Sequence, residues 1–174
     1  MTPTDKDLAE FAGLGLRLRL LETVQIQSWA DNFIAAHDQP PAWVIDLSMA
    51  QGNEMGKVLN TVPGQISGDL PIKMLLGLVH WRWRKGSISL REVRKIGFQL
   101  HLEDRLPPPD VGGDWGVVME CLCEEFDRGY RTEAEMREFV DENLAPHAVN
   151  EEYLPTWARE TIPPAVSANP RQTG

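Results

Sequence analysis

The densest chemistry-bearing stretch of the chain runs from Arg82 to Lys95, where six basic residues stand with one acid. Arg82, Arg84 and Lys85 precede a turn containing Gly86. Arg91, Arg94 and Lys95 follow it, on the side of a predicted helix opposite its Val93, Ile96 and Leu100 stripe. Two helices joined by a tight turn, the second rich in Arg, can set that second helix in a DNA groove. Aromatic residues between basic ones can stack on exposed bases. The opposing expectation is a solvated face that pairs with acid elsewhere in the chain, since a basic cluster needs a footprint as well as charge. A pI near 4.9 weighs against a dedicated DNA binder.

Acid dominates the rest. Residues 1–100 carry 11 Lys/Arg and 10 Asp/Glu, whereas residues 101–174 carry 6 and 16. Such asymmetry bears on partners and association kinetics rather than on fold. Glu120, Glu124 and Asp127 fall on the exposed side of one predicted helix. Glu133, Glu138, Asp141 and Glu142 line much of the next. A rigid acidic surface attracts a basic protein by steering and can compete with nucleic acid for it. The plainer expectation is acid kept for solubility.

Trp is frequent at six residues, against two Tyr. Trp81 and Trp83, two apart on a helix, point about 200° apart and cannot both face one core. Trp83 is the expected interface anchor, because Trp is enriched among binding hot spots. Packing against another helix or a C-terminal arm is the alternative. Trp29, Trp43 and Trp115 lie on predicted buried faces.

Other chemistry is thin. Cys121 and Cys123 lack the two-residue gap of a redox or zinc pair and read as inert core thiols. His37, His80, His101 and His147 are scattered without ligand spacing, so no metal is expected. Neighbouring carboxylates such as Glu103/Asp104 and Glu151/Glu152 read as solvated faces. No nucleophile elbow, phosphate loop or dinucleotide fingerprint occurs, and no cofactor is expected. An enzyme would have to assemble its site from scattered His and carboxylates, so the expectation leans towards a non-enzyme.

The elements that position these residues are helical. The first predicted helix spans 14–36, its start weakened by Gly13 and Gly15. The second opens at Pro40-Pro41 and reaches Val62, with continuity in question at Gly52 and Gly56. A loop over 63–69 leads to a third helix over 70–84 that stops near Gly86. The best strand candidate, His80 to Arg84, alternates at period two within that span. Ser89 and Glu92 have capping-box spacing and start a fourth helix, with Ile88 and Val93 as its staple. Asp114 caps a fifth, which Gly129 ends. Thr132 and Glu135 start a sixth, which ends before Pro146. Tyr153, Leu154, Trp157 and Ile162 suit a short helix or an arm.

The expected fold is all-α, an irregular bundle of six to seven helices with a loosely ordered C-terminal arm. Its domain would span 1–145, with subsegments 1–104 and 114–145 joined by the Pro/Gly-rich 105–113, and an arm over 146–174. The most apolar run, Leu70 to Trp81, is too short to cross a membrane. With no basic leader and no disulfide framework, the cytoplasm is the expected location. In size, acidity and helix content the chain resembles small bacterial immunity or antitoxin proteins. That resemblance implies a non-enzymatic module that neutralises a basic partner protein. The alternative is a nucleic-acid-binding regulator that uses the basic helix over 89–102. Oligomeric state is not legible.

Overall fold

The computed structural model describes residues 2–103 and 124–159. Among them the regular structure is helical throughout and contains no strand. The best strand candidate, His80 to Arg84, forms the end of a helix. Elements follow in the order α1 (Asp5–Arg17), α2 (Thr23–Ala36), α3 (Ala42–Met49), α4 (Asn53–Thr61), α5 (Leu70–Arg84) and α6 (Leu90–Leu102). After a helical turn over 124–127 come α7 (Glu133–Leu144), a 3-10 segment (Ala145–Tyr153) and α8 (Thr156–Arg159). Asp114, Trp115, Cys121, Cys123 and Ile162 lie outside the described residues.

The centre is α5. Eleven of its fifteen residues are buried. A helix that is apolar on nearly every side must be covered on every side. Helices α1, α7 and α8 and the 3-10 segment pack around it. Gly77 lets the 3-10 segment come close. A Cβ there would lie 2.9 Å from the carbonyl carbon of Asn150 and 3.1 Å from its Cβ. Packing against the core therefore continues through Arg159, with Leu154, Trp157 and Ala158 buried. The Trp157 ring lies 6.0 Å from both Phe11 and Trp29.

Three described helix starts with a Ser or Thr N-cap carry reciprocal capping boxes, each joining an orphan backbone donor to the third residue on. Thr4 pairs with Asp7, Ser89 with Glu92 and Thr132 with Glu135. The second and third match the expected starts. Behind Ser89, the staple residues Ile88 and Val93 are buried, as are Ile96 and Leu100. Gly86 and Gly129 stop α5 and the turn over 124–127 with φ of +66° and +77°. Both sit where only glycine is free of strain.

Two expected helices are each divided. The first is broken between Arg17 and Thr23, and helix begins at Asp5 rather than Leu14. Leu20 and Leu21 both donate backbone bonds to the Gly15 carbonyl, and Arg19 takes a φ of +58°. This fold-back buries Leu20 and Leu21. It needs Gly15, where a Cβ would lie 2.5 Å from Leu21 Cδ1. The second expected helix is split into α3 and α4, with Gly52 at φ +51° between them. Trp29 and Trp43, expected in the core, are half-buried and stack on one another at 6.0 Å.

Asp7 ties α1 to the loop before α5. Its carboxylate accepts from the Thr4 amide and hydroxyl at 2.9 and 2.8 Å. It also accepts from the Ser67 amide and hydroxyl at 2.7 and 2.8 Å. Burial alone would raise its pKa, but the Ser67 and Thr4 bonds outweigh burial and hold the carboxyl below its ordinary value. Asp7→Ala leaves these donors unpaired and should cost about 3 kcal/mol in urea unfolding. The folded-state pKa is the lower one. The carboxylate's contribution is thus complete above the unfolded value near pH 4 and is lost as pH falls through the folded value. Wild-type stability should drop across that acid window, and Asp7→Ala should drop less. Equal acid slopes would refute this account.

Gly77→Ala tests the central contact. The added Cβ meets backbone rather than a flexible side chain, so a loss of about 2 kcal/mol is expected. Hydrogen exchange should show weakened protection over 145–153. Unchanged stability would mean that Asn150 does not seat on Gly77.

Candidate functional site

The basic and acidic predicted surfaces meet at one edge. Arg94 Nη1 on α6 lies 3.1 Å from Asp127 Oδ2. One residue expected to bind nucleic acid thus pairs with one expected to bind a basic protein. Arg82 is half-buried, and its buried Nε has no hydrogen-bond partner among the described residues. Burial pushes its pKa down, while Glu22 and Glu92 oppose the shift. Arg84, Arg91 and Lys95 are exposed. Arg91, Arg94, Lys95 and Phe98 border a shallow open depression.

Trp83, expected as an interface anchor, is buried with 7% of its surface exposed. Its indole Nε1–H donates to Asp141 Oδ1 at 2.6 Å. The Arg137 guanidinium lies 5.2 Å from the centre of its ring, a cation–π distance. The half-buried member of the pair is Trp81. The anchor reading fails because α7 of the same chain covers Trp83 and supplies a carboxylate for its N–H. That contact also engages Asp141, one of the carboxylates expected on the acidic binding face.

The remaining acidic candidates divide. Glu120 lies outside the described residues. Glu124 is exposed and pairs with Arg128 one turn on, at 3.7 Å. Neighbouring acids are also neutralised: Glu125 by Arg131 and Glu133 by Arg137, each at 2.9 Å. Glu135 closes its capping box, and the Thr132 backbone bond holds its pKa below the usual carboxylate value. Glu138 and Glu142 stand apart from this pairing. They are exposed one turn apart on α7, on the side away from buried Met136, Val140 and Leu144. Neither forms an ion pair with a described residue. The acidic ridge is therefore narrower than expected and lies further along the chain.

A second polar group lies inside. His80 Nδ1 on α5 is 2.6 Å from Glu151 Oε1. Asn150 Nδ2 approaches His147 Nδ1 at 3.4 Å. Burial, and then nearby His80, push the His147 pKa below the usual imidazole value. The His80–Glu151 contact ties the 3-10 segment to α5, while the Asn150–His147 contact lies within that segment. His80 and Glu151 are 71 residues apart, and no local pattern links them. Glu142, by contrast, was legible one turn from Glu138 on a helical wheel. Among the described residues, no three His, Cys, Asp or Glu are grouped to hold a metal. No described helix is long and apolar enough to cross a membrane.

The Trp83–Asp141 bond is separable from packing. Trp83→Phe keeps an aromatic ring and removes the donor, while Asp141→Asn removes the charge. A double-mutant cycle in urea unfolding should return a coupling of about 1 kcal/mol. Zero coupling would leave Trp83 as a packing residue alone.

No protein-family model matches this chain, and no curated protein or solved structure shows significant similarity to it.

Proposed function

We propose that this chain is a non-enzymatic, acidic protein-binding module that neutralises a basic partner in the cytoplasm, in the manner of an immunity or antitoxin protein. The observation that supports this reading is the Glu138–Glu142 ridge on α7, which is unpaired among the described residues. Like charges one turn apart cost a helix a few tenths of a kcal/mol. A cation from a partner relieves that repulsion. Nearby acids already have partners within the chain, so this ridge retains its charge for an encounter. Exposed acid of this kind raises association rate and specificity more than raw affinity.

A pull-down should recover a basic protein, with binding that weakens as salt rises. Titration of that purified protein against Glu138→Lys/Glu142→Lys should show affinity reduced roughly tenfold or more. Retained affinity in the double variant would remove the ridge from the interface.

The nucleic-acid reading keeps one supporting observation, the exposed Arg91 and Lys95 beside Phe98. It is weakened by Arg94, which is tied to Asp127. Titration of the chain against mixed DNA and RNA at low salt discriminates the two. Salt-sensitive binding lost in Arg91→Ala/Lys95→Ala would favour this second reading.

A further inference from the structure

Helix α3 has an apolar outer ridge. Val44 and Leu47 face inward. Ala42, Ile45 and Met49, at i, i+3 and i+7, are all exposed, with Ile45 at 40% and Met49 at 65%. A helix that is apolar on both its inner and outer sides is normally covered on both. Here the inner side is covered by α2 and α4. Among the described elements, none is packed over the outer ridge.

Acid outweighs base in the chain around this ridge, where exposed Lys57, one turn after Glu54 on α4, is the nearest cation along the sequence. Residues 20–56 contain no Lys or Arg. Asp38 lies in the loop before α3, Asp46 on it, and Glu54 in the first turn after it. All three are exposed, and none forms an ion pair with a described residue. Along the chain, acid thus precedes, flanks and follows the apolar strip. A second copy of this chain docked symmetrically would set Asp46 and its neighbours against their own equivalents, since a two-fold interface joins a patch to itself. Charge complementarity therefore selects another occupant.

We propose that the outer ridge of α3 docks a cationic amphipathic helix. The partner's apolar stripe would lie along Ala42, Ile45 and Met49, and its Lys or Arg residues would meet Asp38, Asp46 and Glu54. This is helix-in-groove recognition, read as anchors spaced by three, four and seven residues. Met suits such a surface because its unbranched thioether adapts to different contours. The inference concerns a different face from α7 and stands without the reading proposed above.

The probe is a synthetic Leu/Lys peptide of about 14 residues, roughly four helical turns, with Leu on one face. A scrambled peptide of the same composition is the control. Isothermal titration should show binding of the amphipathic peptide and at least tenfold weaker binding of the scrambled one. Half-buried Trp43 on α3 and Trp29 stacked on it provide an independent fluorescence readout. Ile45→Ser/Met49→Ser should weaken binding at least tenfold, with thermal melts confirming an unchanged fold. Asp46→Asn/Glu54→Gln should flatten its salt dependence. Glu138→Lys/Glu142→Lys should leave peptide affinity unchanged, which separates this face from the α7 ridge. Absence of binding, equal binding of both peptides, or unchanged affinity in the Ser variant would overturn the proposal. So would peptide binding abolished by the α7 variant. Sedimentation of the protein alone as a dimer that Met49→Ser dissociates would assign the ridge to a second copy instead.

Discussion

A helix with apolar residues on nearly every side has to be enclosed, and α5 imposes that demand on the rest of the chain. Its neighbours come from both ends of the sequence, α1 from one and the segment over 145–159 from the other. The close approach at Gly77 and Asn150 is what permits the second of these. Enclosure has a polar consequence. His80 and Trp83 are carried into the interior by α5, and a buried donor without a partner is costly. Glu151 and Asp141 answer them from the elements that do the covering. The polar contacts thus fix the register of the packing that apolar burial drives.

The same enclosure redistributes the charge. Arg94 on α6 meets Asp127, and the packing of α7 on α5 brings Arg137 to Trp83. Part of the basic cluster and part of the acidic surface are engaged within the molecule. Among the described residues, the carboxylates on the outer edge of α7 and those near α3 form no ion pair. They differ in kind. The α7 ridge carries charge over a conventional amphipathic helix, whereas at α3 the acid frames exposed apolar side chains. The first suits steering, and the second suits anchoring.

Helix boundaries were legible where they are made locally. Ser89 with Glu92 and Thr132 with Glu135 each close a box within four residues, and Gly86 and Gly129 supply the left-handed turns beyond two other ends. The break at 18–22 was not legible. Leu16, Leu18, Leu20 and Leu21 continue an apolar run across it, and Arg19 takes a left-handed conformation to which its residue type gives no clue. That conformation is held because it buries Leu20 and Leu21, a return visible only once the core is assembled. Gly52 did mark the other break, as its sequence context suggested. The start of α1 could also have been read, since Thr4 and Asp7 have the spacing that was recognised elsewhere.

The sequence by itself determined that this chain is all-helical, where most of its helices start and stop, and that acid and base are segregated along it. These properties depend on residues within a few positions of each other, or on composition. Only the tertiary structure decided which indole of the Trp81/Trp83 pair is buried and which described carboxylates remain unpaired. Trp83 meets Asp141 across 58 residues, and His80 meets Glu151 across 71. Helical periodicity states which residues share a face. Which neighbour covers that face is set by how every helix packs at once, and a side chain's partners follow from that.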